Sequence, residues 1–68
     1  MIVNGIYQHY KGNYYKVLSI AKHSETLEDM VVYKALYGDN EIWVRPVRMW
    51  DELVDGCRPR FQWVGTDN

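Results

Sequence analysis

The chain has 68 residues, 8 basic and 9 acidic side chains for a formal charge of −1, and 47% hydrophobic residues. That hydrophobic content with balanced charge excludes a disordered chain, and a net charge near zero argues against a dedicated DNA binder, which gains affinity by neutralising phosphates with excess Lys and Arg. A lone Cys57 cannot make an internal disulfide, whereas a secreted domain this small ordinarily carries several bridges, so the sequence reads as one cytoplasmic domain with its core from about 5 to 65.

The uninterrupted apolar runs, Met30 to Tyr33 and Ala35 to Tyr37, are far too short to span a bilayer. Met1 to Gly5 has neither a basic region nor a long apolar stretch and does not read as a signal peptide. From there, Tyr10-Lys11-Gly12-Asn13-Tyr14 puts turn residues between aromatic stretches and predicts a hairpin of Gly5 to Tyr10 with Tyr14 to Lys22. In its second strand the Leu18 and Ile20 side, with Ile6 opposite, is the more apolar and is expected to face the core. His23 to Glu28 is a polar connection. Met30 to Tyr37 is a strongly β-prone strand, and Gly38-Asp39-Asn40 turns it back into Glu41 to Val47.

Pairing Leu36 with Ile42 sets Lys34 opposite Val44 and Tyr33 opposite Arg45, with Tyr33, Ala35, Trp43 and Arg45 on one face. Pro46 lacks an amide hydrogen and ends this strand or holds it at an edge. Met49, Trp50, Leu53 and Val54 recur at helical spacing before Gly56, which predicts about two turns of helix that Pro59 forbids from continuing. Arg60 to Val64 follows as a last short strand, with Thr66 to Asn68 as a frayed tail. Together these elements predict a mainly β fold: a small SH3-like β-barrel of about five strands with one short helical turn before the last, its closure hiding strand edges.

Catalytic chemistry finds little support in the residue pattern. His23 and Ser24 are adjacent, so on extended chain they point apart, and Ser24 reads as a turn residue. Cys57 between Gly56 and Arg58 reads as an inert thiol in a loop. His9, His23, Glu25 and Cys57 lack metal-ligand spacing, and no glycine-rich loop exists to cradle phosphate, so neither metal nor cofactor is expected. The ten aromatic rings are more informative. They cannot all be interior, because tyrosine hydroxyls need partners or water, and small barrels use surface rings to bind peptides, methylated amines or bases. Most are expected in core or rim packing. Arg45 beside Trp43 either faces a ligand or stacks on a ring, while His23, Ser24, Glu25 and Thr26 form either an ordinary capped loop or a ligand contact.

Gly5-Ile-Tyr7-Gln-His9-Tyr10-Lys11-Gly12, Tyr15 and Val17, His23-Ser-Glu25-Thr26-Leu-Glu28, Val32-Tyr33, Leu36-Tyr37-Gly38, Trp43-Val-Arg45-Pro46 and Pro59-Arg-Phe61 resemble bacterial domain of unknown function family 1653 from about Gly5 to Gly65. The resemblance implies an SH3-like small β-barrel, found in short bacterial proteins or within larger ones, with no assigned activity. It places the family's polar positions on His9, Lys11, His23, Glu25, Thr26 and Arg45. With Tyr33 and Trp43 these make the candidate ligand-binding residues.

The leading expectation is a binding or adaptor module, rather than an enzyme, that takes a peptide, protein or nucleotide-like ligand in a polar and aromatic groove. Another small molecule also fits such a groove. Three alternatives are carried: a general base at His9 or His23 oriented by Glu25, a ligand-free homodimer using exposed Trp or Tyr at a strand edge, and an RNA binder. The last requires Lys11, Lys16, Lys22, Arg58 and Arg60 on one face. No membrane partner is expected.

Overall fold

The computed structural model describes residues 2–66. Strands β1 (Gly5–His9), β2 (Tyr14–Lys22), β3 (Asp29–Ala35), β4 (Ile42–Pro46) and β7 (Phe61–Thr66) form one antiparallel sheet in the order β4-β3-β2-β1-β7. A single helical turn, α1 (Val47–Trp50), follows β4, and β5 (Leu53–Val54) pairs with β6 (Arg58–Pro59) as a second, two-stranded sheet. The protein is therefore mainly β, with a five-stranded sheet and one short helix before the last strand. The tail expected at Asp67 and Asn68 lies outside the described residues, and Thr66 belongs to β7.

The sheet curls strongly. Phe61 on β7 and Tyr33 on β3 are three strand positions apart, about 14 Å on a flat sheet, yet their ring centroids are 6.0 Å apart. The curl wraps around Trp50, which is 1% exposed. Its indole lies flat on Phe61 at 3.8 Å and meets Tyr7 and Tyr33 edge-on at 5.3 and 5.0 Å. Val17 and Val31, both fully buried, complete the cluster. Helix α1 thus acts as the plug of the shell. Its indole N–H is buried without a hydrogen-bond partner, so Trp50 is held by its large apolar area alone.

The core face of the first hairpin differs from the sequence expectation. Tyr7 pairs with Tyr15 and Val17 with Tyr33 on the inner side, while Ile6 pairs with Lys16 on the outer. A bulge at Leu18 then adds one residue, so that Ile20 rather than Ser19 comes opposite the buried Val31. Leu18 is only half-buried, and Ile20 lies beyond the covered part of the shell and is exposed. The extra residue turns Ile20 to the inner side, as expected, whereas before the bulge the rings of Tyr7 and Tyr15, with Val17, take the inner side in place of Ile6 and Leu18.

The second hairpin is shifted by two residues from the expected pairing. Lys34 pairs with Ile42, Tyr33 with Trp43 and Val31 with Arg45, and β3 ends at Ala35 rather than Tyr37. Leu36 donates its amide to Tyr14 O, and the wide turn closes with Gly38 and Asn40 at φ 57° and 55° and Asn40 N on Tyr37 O. A slip of two preserves the faces. Tyr33, Ala35, Trp43 and Arg45 therefore do share one side, as the sequence indicates.

The expected two-turn helix stops after one turn. Asp55 and Gly56 both take left-handed φ, 57° and 69°, and Cys57 N bonds Val54 O. Asp-Gly at such φ is the preferred chemistry of a tight hairpin turn, so Leu53 and Val54 become strand rather than helix. Gly5 has no room for a side chain, because a β-carbon there would lie 2.7 Å from the Ile2 carbonyl oxygen.

Candidate functional site: the His9 end of the shell

The expected polar residues separate into two groups. His9 ends β1 beside the start of β2, and His23 follows the far end of that strand. Nine residues of β2 put them roughly 25 Å apart. They do not converge. A general base needs its orienting partner within hydrogen-bond reach, and Glu25, in the His23 turn, is out of reach of His9.

The His23 group builds a turn. His23 Nδ1 accepts the amides of Glu25 and Thr26 at 3.1 and 3.3 Å, and Thr26 Oγ1 accepts the Glu28 amide at 3.2 Å. Backbone bonds from His23 N to Glu28 O and from Leu27 N to His23 O close the loop, and Glu28 pairs with Arg48 at 2.7 Å. The ring nitrogen and hydroxyl are spent on backbone amides, which otherwise would lack partners in so tight a turn.

His9 stands in a different setting. Its ring packs against Tyr10 at 4.5 Å, Phe61 at 4.9 Å and Tyr15 at 6.3 Å. Nδ1 accepts the Lys11 amide at 3.2 Å, which leaves Nε2 to carry the N–H of the neutral ring. Partial burial holds the His9 pKa below 6.5, and the positive charges of Arg45, Arg60 and Lys11 lower it further. Tyr15 donates to or accepts from Tyr37 at 2.9 Å between hydroxyls, and burial with that bond pushes its pKa up to about 12.

The cations around His9 come from the β1–β2 turn, from β4 and from β6 with the residue that follows it. Lys11, Arg58 and Arg60 surround the Tyr10 ring at 5.8, 5.8 and 5.9 Å, and Arg45 lies over Phe61 at 5.5 Å. Arg58 pairs with Asp55 and Arg60 with Glu52, leaving Lys11 and Arg45 with no ion pair among the described residues. Of the five basic residues that RNA binding requires, Lys11, Arg58 and Arg60 gather here. Lys16 sits along β2, and Lys22, at its far end, pairs with Asp29. The five basic residues therefore do not gather on one face as that alternative requires.

A cleft of about 210 Å³ opens beside this cluster, lined by Gln8, His9, Tyr10, Arg58, Pro59 and Gln62. Trp43 instead lines a smaller cleft of about 80 Å³ with Tyr37, Asp39 and Glu41, and Tyr33 is core. Among the described residues no group of three or more His, Cys, Asp and Glu is placed to hold a metal ion, and no helix is long and apolar enough to cross a membrane. Tyr10 and Gln62 are not among the candidate ligand residues of the sequence, and Arg58 and Arg60 enter there only through the RNA alternative. They reach His9 because β7 pairs back onto β1, with His9 opposite Phe61, and Tyr10 N bonds Arg60 O.

None of the curated proteins matches the chain. A crystal structure of a DUF1653 protein from Bordetella bronchiseptica is 40% identical and superposes with a TM-score of 0.84, covering 98% of this chain and 92% of that one. Residues 5–63, which include both histidine regions and nearly all of the cleft-bearing strands, match the model of DUF1653, a protein family of unknown function. With that span matched and the same shell found in the Bordetella protein, the chain belongs to the DUF1653 family.

Proposed function

We propose that this protein is a non-catalytic recognition module whose ligand is an acidic peptide segment of a partner protein, bound at the His9 end. One observation carries the reading: four cations, Lys11, Arg45, Arg58 and Arg60, stand around His9 and the rings of Tyr10 and Phe61, with only Asp55 and Glu52 paired against them. The surplus positive charge suits a carboxylate, and the side-chain amides of Gln8 and Gln62 in the adjoining cleft suit peptide groups. A cleft of about 210 Å³ is smaller than the roughly 300 Å³ at which enclosed small-molecule pockets begin. It suits an anchoring side chain better than a whole cofactor. The neutral His9 ring would donate its Nε2 hydrogen to the incoming carboxylate, and the anion would in turn raise the His9 pKa.

Amide NMR titration with acidic, neutral and basic peptides, and separately with mononucleotides, tests this. Acidic peptides are expected to shift His9, Tyr10, Arg58 and Gln62, with an affinity that falls as salt rises. Shifts of the same residues by nucleotides and not by peptides would transfer the site to a nucleotide ligand. Shifts by neither would refute the reading.

A further inference from the structure

We infer that strand β4 is a self-complementary edge through which two copies of this chain pair antiparallel. The inference shares Arg45 with the peptide reading, but its test reads self-association with no peptide present, so either reading can fail without the other. Strand β4 ends the five-stranded sheet, with β3 on one side and no strand on the other. Ala35 N bonds Glu41 O, and in an antiparallel ladder the bonded pairs alternate, so Glu41, Trp43 and Arg45 turn their backbone groups toward β3. Ile42 and Val44 therefore aim theirs at the open edge. Pro46 falls on the same outward parity, where its missing N–H costs the β3 ladder nothing.

Three consecutive large side chains on this edge are exposed: Ile42 at 60%, Trp43 at 50% and Val44 at 61%. Unpaired backbone between exposed β-formers is a template for strand addition. The charges choose the occupant. Read outward from Trp43, the segment is Glu41-Ile42-Trp43-Val44-Arg45, apolar within and oppositely charged at its two ends. A two-fold centred on Trp43 puts Ile42 opposite Val44 of the second copy, bonded through both outward amides and carbonyls, and stacks Trp43 against its equivalent. The same register sets Glu41 opposite Arg45 of the second copy, twice, in the non-bonded pairs where side chains approach most closely.

Other registers with the correct parity lose this match. Slipping one copy by four residues either way brings Glu41 onto Glu41 or Arg45 onto Arg45. A slip of two sets either Glu41 against Trp43, with Arg45 reaching only Asp39 in the turn before the strand, or Arg45 against Trp43, with Glu41 against Val47. Arg45 has no carboxylate partner among the described residues, while Arg48, Arg58 and Arg60 each have one. The second copy supplies what Arg45 lacks.

A single short edge buries less than a standard interface, so the expected dimer is weak, with a dissociation constant on the order of 0.1 mM. Sedimentation equilibrium of the wild type, E41R, R45E and the double variant E41R/R45E tests it, with amide dispersion confirming that each folds. Either single reversal is expected to weaken the dimer about tenfold or more, and the double reversal to restore it to within about threefold. A wild type that stays monomeric to about 1 mM overturns the proposal. So does a dimer insensitive to either reversal, or one that the double variant does not restore. Should the wild type be monomeric while a foreign extended peptide shifts the Ile42 and Val44 amides, the edge belongs to a different partner and the second-copy assignment is refuted.

Discussion

The two histidines of this chain occupy opposite ends of β2 and do different work with the same ring. His23 accepts two backbone amides and holds a turn together, and every described bond of its loop stays within the loop or returns to Arg48. His9 accepts one amide, lies among aromatic rings that reach the core, and faces an excess of positive charge beside a cleft. A polar residue in a small barrel is thus better judged by its surroundings than by its type. Both rings accept through Nδ1 and keep an Nε2 hydrogen to give, but only that of His9 lies among cations beside a cleft.

The largest expected effect comes from removing the support beneath the His9 end. Trp50→Ala deletes the ring stacked on Phe61, which itself packs against His9, and is expected to cost about 3–5 kcal/mol in urea unfolding. For a chain of this size that is most of the stability. Trp50→Phe also discards the buried indole N–H that has no partner, so its cost is expected to be less than half as large. Equal losses for the two variants would show that packing around Trp50 is not what holds the shell.

His23→Ala comes next and sharpens the contrast. It removes an acceptor from two loop amides and is expected to cost about 1–2 kcal/mol, with peptide affinity at the His9 end unchanged. The loop amides of Glu25 and Thr26 should exchange faster with solvent. A fall in affinity with no change in stability would reverse the assignment of the two regions.

What could be read from the sequence follows from how far apart the interacting residues lie along the chain. The Tyr10 to Tyr14 turn, the β-prone run after Asp29 and the edge-marking Pro46 are local signals, and all three appear where expected. The shared face of Tyr33, Ala35, Trp43 and Arg45 survived a pairing error because side chains alternate with period two. The bulge at Leu18 left no such trace, and it switches the inner side of β2 between Val17 and Ile20. At Asp55 and Gly56 the helical spacing of Trp50, Leu53 and Val54 outweighed a turn signal that was present and stronger. The candidate site was half legible. His9, Lys11 and Arg45 are legible as polar positions of the family that the chain resembles, but their company of Tyr10, Arg58, Arg60 and Gln62 depends on β7 returning to β1 across about fifty residues, which no local pattern encodes.

The smallest effect is one of pH, and its sign separates the His9 end from an ordinary exposed histidine. Partial burial first, and then Arg45, Arg60 and Lys11, hold the folded His9 below the 6.5 at which the unfolded chain takes up its proton. Between those two values the unfolded state binds more protons, so the stability present above pH 6.5 is lost as pH falls through the folded His9 pKa. Replacing Arg45 by Gln removes one of the repelling charges, and it should move the His9 midpoint up toward 6.5 and narrow the window of loss. An acidic peptide should move it the same way, because a carboxylate beside the ring favours the imidazolium, so binding near that midpoint takes up protons. Ring-proton NMR of the free, peptide-bound and Arg45→Gln protein measures all three midpoints. A free-protein midpoint at or above 6.5 would mean that the cations do not act on His9, and the charge argument for the cleft would fail with it.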